Sequence, residues 1–216
     1  MNTLAEENYL KSIYHLTLSD ENVSTNQLAA LLNTKASSVT DMLKKLADKG
    51  LINYTPYQGV NLTDTGSKIA INIIRKHRLW EYFLVEKLNF KWDEVHEMAE
   101  EMEHISSNEL IDRLDKFMGF PKYDPHGDPI PDCNGLLKIH DLKLVSAAGV
   151  NESGIIWGVR DHSSSFLQYL EKHGLVIGKS VTICEIMEFD HSMLLQLDEK
   201  KIQISREVAN NLLIAL

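Results

Sequence analysis

Apolar residues recur at helical spacing through the first half of the chain and alternate at strand spacing through the last third. Tyr9, Leu10, Ile13, Tyr14 and Leu16 mark one face of a helix over 5–17. Ser24, with Gln27 three residues on, is a capping box opening a second helix whose apolar face is Leu28, Ala29, Leu31 and Leu32. After Asn33-Thr34-Lys35 a third helix places Val39, Met42, Leu43 and Leu46 at i, i+3, i+4 and i+7, and stops at Lys49-Gly50. Leu51, Ile52 and Tyr54, a turn with Pro56 and Gly59, then Val60 and Leu62 predict a small hairpin. The polar turn 63–66 leads into a helix from 67 to about 88. Further helices are expected over 93–103 and from about 107 to 119.

The pattern changes at 119–135, GFPKYDPHGDPIPDCNG, which holds four of the five prolines and so predicts a linker or ordered loop. Beyond it LKLV, GIIWGVRD, SVTICEIMEF, MLLQL and IQIS read as short strands, interrupted by a helix over 164–173. REVANNLLIAL reads as a short closing helix. So many short strands in about 75 residues suggest a small barrel. The fold class is mainly α with a small β domain.

Charge sharpens this division. Residues 1–78 hold 7 acidic and 9 basic side chains, whereas 79–120 hold 11 acidic and 4 basic, within a chain of net charge −9. That balance argues against non-specific coating of nucleic acid, and leaves a locally neutral-to-basic reading head at the start. No apolar run approaches the roughly 18 residues of a membrane span, and the start MNTLAEENYLKSIYHL predicts no secretory signal. The two cysteines, Cys133 and Cys184, form no CxxC pair, which suits a reducing cytoplasm.

Helix, short turn, helix and hairpin is the order of a winged helix-turn-helix, in which the third helix enters the major groove. Opposite its apolar face stand Ser37, Ser38, Thr40, Asp41, Lys44 and Lys45, with small hydroxyls able to approach base edges and lysines able to reach phosphates. Tyr57 and Gln58 at the hairpin tip are candidate wing contacts. The same helices also suit a protein-interaction module.

A second signal lies in HEMAEEMEH, 96–104, with two histidines and four glutamates in nine positions. On one helix, His96, Glu100, Glu103 and His104 would share a face, and His77 and Glu81 lie one turn apart on the preceding helix. Such a set is either a solvated acidic face, as Glu94, Glu97 and Glu101 suggest for themselves, or a site for Mn(II), Fe(II), Co(II) or Zn(II). Like charges at i, i+3 and i+4 disfavour a helix by a few tenths of a kcal/mol per pair, and a bound dication reverses that sign. The di-iron pattern needs a second Glu-x-x-His on another helix, and none of the other expected helices carries one.

The stretches EENYLKSIYHL, ASSVTDMLKKLADKGLI, LTDTGSKIA, RKHRLWEYFLVEKL, EEMEH and PHGDPIP together resemble the metal-dependent repressors of the diphtheria toxin repressor type, which include the manganese sensors called MntR. The resemblance implies a winged helix-turn-helix over 1–72, a helical metal-binding and dimerisation domain over 73–120, a linker over 121–142 and an SH3-like (FeoA-type) domain over 143–216. By position it implies a primary metal site from Asn8, His77, Glu100, Glu103 and His104. An ancillary site is implied from Glu81, Asp124, His126 and Asp161, with His96 competing for a place in it. Manganese sensors of this type carry aspartate where this chain has Asn8, so the first helix offers a neutral oxygen, with Glu7 as a fallback. Short manganese sensors carry glutamate where Lys11 stands, and an ammonium there argues against their binuclear cluster. Iron sensors carry cysteine at the position of Glu100; a carboxylate there favours Mn(II), with Fe(II) possible and Zn(II) or Co(II) able to occupy the site in vitro.

The resulting expectation is a cytoplasmic, homodimeric, manganese-responsive repressor of a palindromic double-stranded DNA operator, not an enzyme and not a membrane protein. Trp80, Leu84, Trp92 and Met98 are expected either at the dimer interface or in the core. The alternatives are an iron-responsive repressor, or a metalloenzyme using the same histidines and glutamates.

Overall fold

A computed structural model describes residues 2–18, 22–55, 58–138 and 140–216. The chain forms two compact units, one of residues 1–77, 100–112 and 131–136, the other of 78–99, 113–130 and 137–216.

In the first unit, helices α1 (Leu4–Thr17), α2 (Thr25–Leu31) and α3 (Ala36–Asp48) precede a two-stranded hairpin, β1 (Ile52–Thr55) and β2 (Gly59–Leu62). Both opening helices begin in capping boxes, Thr3 with Glu6 and Ser24 with Gln27. Leu10 and Ile13 of α1, Leu28 of α2, Val39, Leu43 and Leu46 of α3 and Val60 of β2 bury their side chains in one core. Each such burial contributes roughly 1.5–3 kcal/mol. The αL backbone of Gly50 (φ 68°) ends α3 as expected, and the strands pair antiparallel from Ile52–Leu62 to Thr55–Gly59.

The next helix, α4 (Asp64–Leu88), begins three residues before the sequence pattern suggests. Thr63 explains this: its hydroxyl accepts the Gly66 N–H at 3.1 Å and donates to the Gly50 carbonyl. Gly66 fits inside that first turn because any Cβ there would meet the Leu51 carbonyl oxygen at 2.0 Å.

Helix α5 spans only His96–Met102, against an expected 93–103, and α6 spans Asn108–Phe117. The residues before α5 are held otherwise, since the Asp93 carbonyl accepts from Ser164 Oγ and its carboxylate from Gln168 Nε2. Glu103 and His104 therefore sit in the turn after the helix, not on its face, and the single-face arrangement with His96 does not form. Trp80 and Leu84 are core residues, 6% and 4% exposed, so they present no surface for dimerisation.

The second unit contains a six-stranded antiparallel sheet in the order β3-β8-β4-β5-β6-β7. Its strands are β3 (Lys143–Leu144), β4 (Ser153–Val159), β5 (Ser180–Ile186), β6 (Met193–Leu197), β7 (Lys200–Ile204) and β8 (Leu212–Ala215). Helix α7 (Ser164–His173) falls where the pattern predicts it. The closing helix α8 (Arg206–Asn211) is shorter than read, because LLIA becomes β8. Ile214 of β8 pairs with Lys143 and Ile156, and the strand alternates buried Leu212 and Ile214 with half-buried neighbours. The sheet and α7 enclose a core that includes Ile156, Leu167, Leu170, Val181, Leu195 and Leu212. No helix among the described residues is long and apolar enough to cross a membrane.

Candidate metal centres and nucleic-acid interface

Glu7, Asn8 and Lys11 share one face of α1, because residues three and four apart stack on a helix. Within the same unit Lys11 meets Glu100 and Glu103, and Glu7 meets His104. His77 Nδ1 lies 2.7 Å from Glu103 Oε2 and 4.0 Å from Glu100 Oε1. One donor atom each from His77, Glu100 and Glu103 falls within a span of 4.8 Å. His104 Nδ1 lies 2.7 Å from Glu7 Oε2, and its Nε2 faces Glu103 Oε1 at 3.8 Å. The fallback ligand Glu7 thus holds the outer nitrogen of His104, the usual place of a carboxylate that orients a metal-binding imidazole.

This donor set fits a hard dication. Glu103 is fully buried, and unpaired buried charge is strongly disfavoured. The buried Oδ1 of Asn8 has no hydrogen-bond partner, an acceptor left over on the ligand face of α1. Lys11 is the residue whose role the sequence does not show: its Nζ lies 2.5 Å from Glu100 Oε1 and 2.8 Å from Glu103. Lys76 Nζ donates to the Ile105 carbonyl at 2.9 Å, and burial pushes its ammonium below the ordinary lysine value while Glu7 and Glu103 pull it back.

The second unit holds another cluster, in which Glu81, Asp124 and His126 are all buried and offer donor atoms within 4.8 Å of one another. Glu81 stands between two imidazoles, with His96 Nδ1 at 3.2 Å from one oxygen and His126 Nδ1 at 3.5 Å from the other. Asp124 Oδ1 accepts the backbone N–H groups of His126 and Asp128, which folds the PHG loop around it. Asp124 Oδ2 accepts no hydrogen bond, and Arg78 Nε lies 3.6 Å away. Gly127 (φ 89°) is required there, since a Cβ would meet the Trp157 carbonyl oxygen at 2.1 Å.

Burial opposes charge on His126, but Glu81 and Asp124 raise it to about 9. Burial, with Asp128 and Glu81 nearby, pushes the Asp124 carboxyl up to about 7. Cation binding at this cluster would therefore release protons. Asp161 is not gathered with these donors; its Oδ1 accepts the Ser163 N–H at 2.8 Å, ahead of α7. Its neighbour His162 comes closer, its ring stacked on His126 with centroids 4.6 Å apart. Sequence offers only adjacency to Asp161 as a signal for it.

On α3, Ser37, Ser38 and Lys44 are exposed. Thr40 is half-buried, and its hydroxyl donates to the Ala36 carbonyl at 2.9 Å. Lys35 precedes α3 without a side-chain cap, so the first N–H groups of that helix face no side-chain acceptor of their own cap. Lys45 bridges to Glu6 at 3.0 Å instead of standing free. Gln58 is exposed at the hairpin tip; Tyr57 lies outside the described residues.

Three family models match successive segments of the chain. Residues 1–60 match the iron dependent repressor N-terminal DNA-binding domain, 63–132 its metal binding and dimerisation domain, and 143–216 the FeoA domain. The HTH-type transcriptional regulator MJ0568 of Methanocaldococcus jannaschii is 43% identical over 114 residues, 52% of this chain and 90% of that protein. The chain belongs to the diphtheria toxin repressor family of metal-dependent transcriptional repressors. Within this family, the iron-dependent repressor IdeR of Mycobacterium tuberculosis is 33% identical over 133 residues, 61% of this chain and 58% of that repressor. The fold of a manganese-dependent transcriptional repressor in complex with manganese superposes with a TM-score of 0.89 at 31% identity, covering 98% of this chain and 100% of that one. Members of the diphtheria toxin repressor family are regulators, which sets aside the metalloenzyme alternative.

Proposed function

We propose that this repressor responds to manganese. The observation that carries the reading is the donor set at the first cluster: two carboxylates, an amide oxygen without a partner and two imidazoles, with no sulfur. Cys133 and Cys184 are free thiols, and neither belongs to that donor set. Oxygen-rich sets suit Mn(II), whereas thiolate favours softer ions. The primary ligands are Asn8, His77, Glu100, Glu103 and His104. A bound dication there would supply positive charge that ties α1 to α4 and to the turn after α5. The ancillary set is Glu81, His96, Asp124 and His126, with Asp161 as a more distant member from the FeoA domain.

Fe(II) is the second reading, favoured by the two imidazoles that flank Glu81. Zn(II) and Co(II) would fill the same donors in vitro. The domains are assigned as a winged helix-turn-helix over 1–72, a metal-binding and dimerisation domain over 73–120, a linker over 121–142 and an SH3-like domain over 143–216. DNA contact is assigned to Ser37, Ser38, Thr40 and Lys44 of α3, with Tyr57 and Gln58 in the wing. A cytoplasmic homodimer would place two such helices on a palindromic operator.

Titrating Mn(II), Fe(II), Co(II) and Zn(II) against a fluorescent duplex from the region upstream of the protein's own coding sequence tests this. Mn(II) should promote binding at the lowest free concentration. Promotion by Fe(II) at lower concentration would install the iron reading, and binding indifferent to every metal would remove both.

A further inference from the structure

The ammonium of Lys11 lies where a cation would serve the first cluster. It approaches Glu100 at 2.5 Å and Glu103 at 2.8 Å, and Glu103 is also the carboxylate that His77 holds at 2.7 Å. The Lys11 side chain is only 12% exposed and Glu103 is fully buried, so this is no solvated surface pair. One charge of the two carboxylates is therefore met by a cation that belongs to the chain itself. Oxygens within 2.8 Å of an ammonium are poorer donors to a dication, because the two cations crowded on the same carboxylates repel one another.

We propose that Lys11 is a tethered counter-cation: it keeps the metal-free site folded and neutralised, and it must leave Glu100 and Glu103 before they take a metal ion. Apparent metal affinity is then the intrinsic affinity reduced by the stability of the Lys11 pairs, in the same way that a binding-competent state populated only in part weakens a ligand. Lys11 thus sets the free metal concentration at which the repressor loads. The inference rests on the primary-site assignment above.

The test uses the full-length protein stripped of metal, its Lys11→Met and Lys11→Gln variants, and Glu103→Gln as a control. Mn(II) alone is titrated by calorimetry, and thermal unfolding is followed with and without Mn(II). Both Lys11 variants should bind Mn(II) at least tenfold more tightly than the parent. Their metal-free midpoints should fall below the parent's while their Mn(II)-loaded midpoints do not, and Glu103→Gln should lose the primary binding event. Unchanged or weakened Mn(II) affinity in the Lys11 variants, with Glu103→Gln still losing the event, overturns the counter-cation and leaves the site assignment standing. Mn(II) binding indifferent to Glu103→Gln removes the site assignment and the inference with it. Should Lys11→Met not fold without metal, Lys11→Gln and the charge-keeping Lys11→Arg decide: the first must gain affinity and the second must not.

Discussion

His104 offers Nε2 towards Glu103 because Glu7 occupies Nδ1, and the 2.7 Å contact fixes both the ring's orientation and its tautomer. Glu7→Gln keeps the shape but removes the charge that makes the imidazole a better donor. Mn(II) affinity should drop on the order of 10-fold, the lower end for outer partners of metal ligands, while the metal-free protein unfolds at nearly the same temperature. Calorimetric titration decides, and unchanged affinity would leave Glu7 without that role. At this scale ligand types are legible in sequence and contacts are not. EEMEH advertises its carboxylates, and the PHG loop advertises His126. Nothing in the spelling of α1 says that Lys11 reaches across some ninety positions to Glu100 and Glu103, or that His162 and not Asp161 stacks on His126. Those facts depend on how distant segments meet.

Elements were legible where their signal was local. The capping box of α2, the apolar stripe of α3 and the glycine stop at Gly50 each lie within a few residues, and each forms as the pattern predicts. Helix α5 lost its first turn to contacts made by Asp93 far along the chain, and LLIA became a strand because two others receive it. One tertiary tie joins local to distant: the carboxylate of Glu6, which caps α1, is fully buried and meets Lys49 at 2.7 Å and Lys45 at 3.0 Å. Burial alone would raise its pKa, but the Lys49 hydrogen bond, the Thr3 N–H and Lys45 hold it at about 2. A depressed folded value stabilises the protein above the unfolded carboxylate value of about 4.3. That stability is lost as pH falls from there towards 2. Screening at the half-exposed lysines leaves a contribution of about 1–2 kcal/mol. Glu6→Gln should therefore lower the unfolding free energy at pH 7 by about that amount and flatten its fall between pH 4.5 and 2. Urea unfolding at a series of pH values measures both, and parallel curves for parent and variant would rule the tie out.

For the whole molecule, the matched domains join DNA binding, metal binding and dimerisation in one chain. Trp80 and Leu84 are spent on the protomer's core. Phe117 and Phe120, 68% and 54% exposed, are apolar side chains left at the surface of the matched segment 63–132. Regulation then requires that the metal cluster and the reading helix bias one conformational equilibrium, and such coupling is reciprocal. If Mn(II) tightens duplex binding by some factor, saturating duplex must tighten Mn(II) binding by that same factor. Couplings of about 1–3 kcal/mol, typical of allosteric proteins, make the factor roughly 5–150. The two halves are measured independently, by anisotropy of a labelled duplex at zero and saturating Mn(II), and by Mn(II) calorimetry with and without duplex. In Lys11→Met both Mn(II) affinities rise together while the ratio between them holds, because Lys11 opposes loading in either state. A ratio that collapsed in that variant would make Lys11 part of the link to DNA and not a gate on the metal alone. Glu103→Gln, which removes the shared ligand, should bring both factors to one. Retention of either factor there would locate the coupling at the second cluster, around Glu81, Asp124 and His126.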